Sequence, residues 1–305
     1  QVQVVTAEDI DNRGAIRLED VLNDLPQIAP GQIAQTANGS NGTATANLRN
    51  LGCSRTLVLL NGNRMAPGTS SGGVCADISQ VPALLIKRVE VLTGGATSVY
   101  GSDALAGVVN FILDDEFQGF KASATNSFYH HENDNSALRA LHDTYGYQKA
   151  PSSVTEGDSL KLSLAFGGSI DDGNGHITGY IEHINTQPIL QGAYDGGACA
   201  LSGGDSKCGG SSTVPAGRLH DFGYKKKGFT PINDAVSDFK FDYITVGDEF
   251  ADRNGKLYNY NPTNHYQRPQ DKINAGFFAK YSLTDKDEFY ANVRFMENES
   301  PSQIA

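Results

Sequence analysis

Ser159, four cysteines and seven histidines are the residues of this 305-residue chain whose chemistry could be catalytic or metal-binding. Ser159 stands in the run Gly157-Asp158-Ser159-Leu160 and would act as a nucleophile only with a base in reach. Such a base is usually set in an Asp-x-x-His pattern, and no histidine here has an Asp three residues before it. Cys53, Cys75, Cys199 and Cys208 form no CxxC pair and have no histidine at zinc spacing. They read instead as two disulfides of an oxidising compartment. Three pairings are open, and locality favours Cys53 with Cys75 and Cys199 with Cys208. The Asp- and Gly-rich turns, such as Asp171 to Gly175, lack the ligand spacing of a calcium loop and read as turns. His130 and His131 read as an exposed polar pair at a strand end. No catalytic set, metal site or cofactor motif emerges, so an enzyme is not expected.

The formal net charge is −11, from 24 basic and 35 acidic residues, which argues against a nucleic-acid partner. The longest apolar runs, Leu57 to Leu60 and Val108 to Leu113, fall far short of the roughly 20 residues a membrane helix needs. A β-barrel stays open, because its strands alternate and escape hydropathy. The chain starts at Gln1 with no charged start or apolar signal core, so an export signal is expected to be removed or to lie upstream.

The first 113 residues read as mixed α/β. Thr6 and Asp9 form a helix-start pattern, and Leu18, Val21, Leu22 and Leu25 share one helical face before Pro26. Arg55 to Leu60 is a short apolar strand ending in an Asn-Gly turn at Asn61 and Gly62. Lys87 to Leu92 and Val108 to Leu113 give two more strands, too apolar to lie outside a core.

From Gly119 the pattern becomes strict alternation. Leu160, Leu162, Leu164 and Phe166 point one way, and Ser159, Lys161 and Ser163 the other. Ile273 to Leu283 and Phe289 to Phe295 repeat it, with Gly119 to Tyr129 and His176 to Thr186 less clean. Each run is about the 9–11 residues that cross a bilayer with tilt. Long links (130–157 and 187–270) alternate with tight turns (171–175 and 284–287), which places every long link at one end. Outer-membrane barrels have that parity. A soluble sandwich rarely tolerates so long an irregular loop.

The segment Gly94 to Leu113, GGATSVYGSDALAGVVNFIL, resembles the hallmark of the plug domain of TonB-dependent outer-membrane receptors. Other blocks of that pattern precede it in order: VQVVTAEDI, LEDVLNDLPQI, NLRNLG, RTLVLLNGNRM and DISQVPALLIKRVEVL. The resemblance covers residues 1 to 113 and carries over Arg49, Gly52, Arg55, Gly62, Glu90, Gly95, Tyr100, Gly101, Ala104, Gly107 and Asn110 as structural motif positions. Gly94 and Gly95 permit a backbone reversal, Ala104, Ala106 and Gly107 keep the segment slim, and Asn110 is expected to hydrogen-bond. Asn50 and Asn63 depart from the family's Gly and Arg.

The resemblance implies an α+β plug domain (a small mixed sheet with short helices, residues 1–115) followed by antiparallel β-strands of an incomplete outer-membrane β-barrel (116–305, about five strands). Five strands cannot close a barrel, so the chain is expected to be a fragment, with the TonB box before Gln1. The implied parent binds a scarce nutrient at the cell surface and imports it with energy from the TonB–ExbB–ExbD complex, in contact with outer-membrane lipid. Its ligand is one of ferric siderophore, cobalamin, oligosaccharide or peptide. Ligand contacts are expected from 39–47, 63–71 and the 187–270 link, with Asn41, Thr43 and Arg64 as plug-apex candidates. Phe128, Tyr129, Phe289 and Tyr290 are candidates for an aromatic belt in a chain without Trp. A signalling transducer of the same fold is the alternative. Gly157 to Leu160 is also similar to the start of GDSL-type serine hydrolases, a remote alternative that lacks the base.

Overall fold

Thr6 both ends the first strand and caps the first helix. In the computed structural model, which describes residues 2–29, 42–68, 75–94, 96–202, 207–211, 218–220, 242–246, 249–252, 257–284 and 286–303, β1 (Val2–Thr6) runs straight into α1 (Ala7–Asn12). The Thr6 hydroxyl accepts from the Asp9 backbone N–H at 3.2 Å, and Asp9 accepts from the Thr6 N–H at 2.9 Å. This reciprocal pair satisfies two N–H groups that the helix start would otherwise leave open. The Thr6 hydroxyl also donates to the Asp9 carboxylate at 2.7 Å, and this bond, followed by that from the Thr6 N–H, holds the Asp9 carboxyl below the usual carboxylate range. The helix α2 (Leu18–Asn23) buries Leu18, Val21 and Leu22, with Leu25 buried just beyond it.

These helices cover a five-stranded sheet built from β1, β2 (Thr56–Leu60), β3 (Asn63–Arg64), β4 (Ile86–Thr93) and β5 (Gly107–Leu113), with the short helix α3 (Thr97–Tyr100) between the last two. The order is β1-β4-β5-β2-β3, with β2 and β5 parallel and the other pairs antiparallel. Every residue of β2 is buried, as a central strand covered on both faces requires. Val58, Leu60, Val89, Val91, Val109 and Phe111 join Val21, Leu22, Ile78 and Leu85 in one core. The β2–β3 hairpin turns on Asn61 and Gly62, both at positive φ (48° and 79°), which suits the twist of the flanking strands.

A second sheet contains β6 (Gly119–Glu132), β7 (Ser153–Ile170), β8 (Gly175–Thr186), β16 (Gln270–Ser282) and β17 (Glu288–Glu299) in the order β17-β16-β8-β7-β6. It is antiparallel along its paired register and unclosed. One face exposes Leu160, Leu162, Leu164, Phe166, Ile177, Ile181, Ile273 and Phe277. The other buries Ser159, Ser163, Thr178, Glu182, Lys272 and Asn274. Apolar outside and polar inside is the reverse of a soluble sheet and is the pattern of a barrel wall in lipid. The aromatic candidates fall at the two ends of the wall. Phe289 and Tyr290 lie beside the tight turn, and Phe128 and Tyr129 lie toward the long links; all four are exposed.

The wall strands run further than alternation alone predicts. β6 continues to Glu132 and β7 begins at Ser153, so the first link is shorter than 130–157, and it holds the helix α4 (Ser136–Tyr145). The second link is not irregular throughout. It carries β9 (Ile189–Leu190), the hairpin β10 (Leu201–Ser202) and β11 (Lys207–Cys208), a three-stranded sheet of β12 (Arg218–His220), β13 (Asp242–Val246) and β14 (Glu249–Asp252), and β15 (His265–Gln267). Hairpin pairing supplies backbone partners that a structureless loop of that length would lack.

The chain divides into two compact units. The first is Gln1–His130, Thr155–Ile189 and His265–Ile304, and it contains the N-terminal sheet together with most of the wall. The second is His131–Val154, Leu190–Asn264 and Ala305. Within the second, Asn135 caps α4 by accepting from the Leu138 N–H, and Gly146 ends it in a left-handed conformation. Arg139 ties the helix to Asp195 at 2.9 Å and to the Ala150 carbonyl at 3.1 Å.

Candidate functional site

Within the first unit, the inner face of the wall meets the N-terminal domain through side chains that alternation points inward. On β16, Gln270, Lys272 and Asn274 are buried while Asp271 and Ile273 are exposed. Lys272 donates to the Ser79 carbonyl at 3.1 Å, and Asn274 donates to the Gln80 carbonyl at 3.1 Å. Two successive inward residues thus grip two successive peptide units. The Ser79 hydroxyl also reaches the Met296 sulfur at 3.5 Å.

Glu182 on β8 is the counter-charge of this contact. It lies 3.7 Å from Lys272 and 3.3 Å from Lys161, and accepts from Ser163 at 3.4 Å. All three charged groups are out of water, so each requires the others. Facing them, Glu19 on α2 is 3 % exposed, with Arg17 at 3.9 Å as its nearest cation. Burial pushes the Glu19 carboxyl upward, and the fields of Arg17 and then Lys272 only partly pull it back. Arg17 itself leans on Asp20 at 3.3 Å, and burial raises that carboxyl as well.

Asp77 organises the segment that the wall grips. One carboxylate oxygen accepts from the Ala44 N–H (3.1 Å), the Ser79 N–H (3.0 Å) and the Ser79 hydroxyl (2.7 Å). A Cβ on Gly68 would stand 2.4 Å from the Asp77 Cβ, so glycine is required where the two chains pass. The disulfide Cys53–Cys75 closes the same region.

The family model for the TonB-dependent receptor plug domain matches residues 1–108. Residues 1–108 are a TonB-dependent receptor plug domain. Among solved structures, the chain is similar to a mutant ferric enterobactin receptor, PfeA, from Pseudomonas aeruginosa, at 18 % identity and a TM-score of 0.55, over 97 % of this chain and 33 % of that one. It is similar to the siderophore receptor PirA from Acinetobacter baumannii at 16 % identity and a TM-score of 0.53, over 98 % of this chain and 32 % of that one. For the unliganded ferric citrate transporter FecA the identity is 15 % and the TM-score 0.52, over 99 % of this chain and 32 % of that one. At such identities the likeness is one of fold: a plug followed by part of a barrel wall. The chain spans about a third of the length of these proteins.

The plug motif residues take up structural positions. Gly107, at φ +139°, passes so close to β4 that a Cβ would stand 2.2 Å from the Leu92 carbonyl oxygen. Ala104 is fully buried in the satellite cluster that Tyr100 packs against. Asn110 accepts from the Gly62 N–H at 3.1 Å and donates to Glu90 at 3.3 Å, and Glu90 also pairs with Arg88 at 2.8 Å. Gly52 and Gly101 have positive φ, and Arg55 donates to the Leu51 carbonyl at 2.9 Å. Arg49 and Asn50 are consecutive left-handed residues (φ 53° and 57°). The family's Gly at position 50 is thus replaced by the residue type that next best tolerates that conformation. Gly95 lies outside the described residues.

The apex candidates are not brought together. Thr43 is 8 % exposed and adjoins Gly42, whose carbonyl accepts from Asn298 at 2.9 Å near the long-link end of the wall. Arg64 lines a cavity of about 380 Å3 with Lys280, Glu288 and Tyr290, beside the tight turn at 284–287. Tyr290 and Asn298 are eight residues apart on one strand, or about 26 Å. Arg64 is also already engaged, by Asp103 at 2.7 Å and by the Tyr100 carbonyl. It holds the Tyr100–Ala104 segment and lies toward the tight-turn end of the wall. Asn41 lies outside the described residues. Cys199 pairs with Cys208, the second local pairing. Alternation alone did not single out Lys272, Glu182, Glu19 or Asp77.

Proposed function

We propose that this chain is the gate and first wall strands of a TonB-dependent receptor of the bacterial outer membrane. It would bind a scarce nutrient at the cell surface and admit it to the periplasm. The observation that carries this reading is the docking of the plug on a wall that is apolar outside and polar inside, with Lys272 and Asn274 gripping Ser79 and Gln80. A gate needs contacts that are specific yet removable, and a few hydrogen bonds to one backbone segment suit that better than an apolar seam. Energy would come from the TonB–ExbB–ExbD complex, which adds a receptor segment as a strand and pulls. No covalent chemistry is required of the chain.

The ligand would approach from the end where the long links leave the wall, with contacts from the plug segment around Thr43. Ferric siderophore, cobalamin, oligosaccharide and peptide are the ligand classes to try; of the similar proteins, PfeA is a ferric enterobactin receptor and PirA a siderophore receptor. A strain lacking the full-length gene, grown on a panel of limiting nutrients with and without TonB, tests the reading. One TonB-dependent growth defect restored by the gene is expected. Normal growth on every nutrient, or recovery of the protein in the soluble fraction, would overturn it.

A further inference from the structure

His142 is the most anomalous polar residue of the second unit. It is 0 % exposed, and neither ring nitrogen has a hydrogen-bond partner among the described residues. Buried polar groups almost always find partners, because an unpaired one forfeits its hydration for nothing. Burial accordingly holds this imidazole below its ordinary pKa. The ring is aimed at the Cys199–Cys208 bridge: a ring nitrogen and the two sulfur atoms all lie within 4.8 Å of one another. Cys199 and Cys208 are buried as well. The placement is enforced from both sides. The helix α4 is capped at each end and tethered through Arg139 to Asp195, while Cys208 lies on the hairpin strand β11.

We propose that His142, Cys199 and Cys208 form a redox-gated binding site for a thiophilic divalent cation of the Zn2+ type. As a disulfide the two sulfurs are poor ligands, and the site is closed. Two molecules of a small thiol, R–SH, open it. The Cys199–Cys208 bond breaks, each sulfur gains a proton, and the reductant leaves as R–S–S–R. Metal binding then displaces both thiol protons and leaves two thiolates and one neutral imidazole on the ion. Two sulfurs and a nitrogen are a soft set that favours Zn2+ over Mg2+ or Ca2+, and three protein ligands leave the fourth position exchangeable. Around one Zn2+ these atoms would stand roughly 3.5–4 Å apart, so opening the bridge and a small closure about His142 complete the site. The unpartnered histidine then has a purpose that the oxidised state does not give it.

The test uses the full chain in detergent as three proteins: unchanged, Cys199→Ser/Cys208→Ser, and His142→Ala. Each is titrated with Zn2+ against a chromophoric chelator, and with Co2+ to read the thiolate-to-metal absorption, before and after reduction. The double-serine protein subtracts whatever Cys53 and Cys75 bind. Reduced unchanged protein should take up one more Zn2+ than the double-serine protein, and oxidised protein none beyond it. His142→Ala should weaken that uptake by more than about tenfold, since even an outer-shell partner is worth that much. Because His142→Ala could loosen the fold, His142→Cys is included; it supplies a third soft ligand and should restore binding. Equal uptake by reduced unchanged and double-serine proteins would overturn the proposal. So would unweakened binding by His142→Ala, or binding by His142→Cys no better than by His142→Ala.

Discussion

Lys272 of the wall donates to the carbonyl of Ser79 in the plug, across 193 positions of sequence. The same ammonium lies 3.7 Å from Glu182 and is 5 % exposed. Lys272→Met would leave the Ser79 carbonyl without its donor and Glu182 with Lys161 alone. Breaking a buried pair from one side typically costs about 3–5 kcal/mol. The plug should therefore become protease-sensitive at lower denaturant than in the unchanged receptor. Lys272→Met combined with Glu182→Leu and Lys161→Met should recover part of that loss, because no charge of the triad is then stranded. A triple variant as fragile as the single one would show that the ion pairs are not what holds the plug.

Glu19 links plug stability to pH. Its carboxyl is raised from the ordinary glutamate range by burial. A raised acid binds its proton more tightly folded than unfolded, so its contribution is fully present below the unfolded pKa. It is lost as pH rises from that value through the folded one. Glu19→Gln should therefore raise the melting temperature of the plug at neutral pH and leave it nearly unchanged at acidic pH. Equal effects at both pH values would mean that Glu19 is ionised in the fold and compensated by Arg17 and Lys272.

Two glycines separate steric need from conformational need. Gly107→Ala would place a Cβ 2.2 Å from the Leu92 carbonyl oxygen, so β4 and β5 would have to part. Gly62 has φ +79° and nothing within 4 Å of such a Cβ. Gly62→Ala should cost about 1–2 kcal/mol from the left-handed backbone alone. Gly107→Ala should exceed that clearly, on the order of 4 kcal/mol or more. Denaturant midpoints of the two variants decide it, and similar losses would place the requirement at both sites in the backbone angle.

Much of this architecture is legible in the sequence because it is local. The Thr6–Asp9 cap, the α2 face, the Asn61–Gly62 turn and the alternation of β7, β16 and β17 are each settled within a dozen residues. The plug–wall contact is not legible, since Lys272, Glu182 and Glu19 are ordinary surface residue types until three distant elements bring them together. The place of Arg64 follows from strand direction. β2 runs parallel to β5, and β5 leads by a short connection into β6 at the tight-turn end. The turn at Asn61 and Gly62 must therefore lie at that end too, with Arg64 only two residues past it. His142 gives no sequence signal at all, being the single histidine of an ordinary amphipathic helix.

The orientation of the wall makes a prediction that a soluble sheet would not share. Leu162 on β7 is exposed, while its neighbours Lys161 and Ser163 turn inward to Glu182. In water an exposed leucine is freely replaced by arginine, and the change would pass unnoticed or help solubility. In hydrocarbon the same change strands a charge, at about 2–4 kcal/mol near the bilayer midplane and less toward the interfaces. Leu162→Arg in the full-length receptor should therefore reduce its recovery from outer-membrane fractions and lower its unfolding midpoint in lipid vesicles. Leu162→Phe should do neither, since it preserves an apolar surface of similar reach. The pair separates lipid exposure from packing, because a packed site would reject the larger ring as firmly as the charge. Unaltered stability of Leu162→Arg in vesicles would mean that this face of the wall meets water or protein.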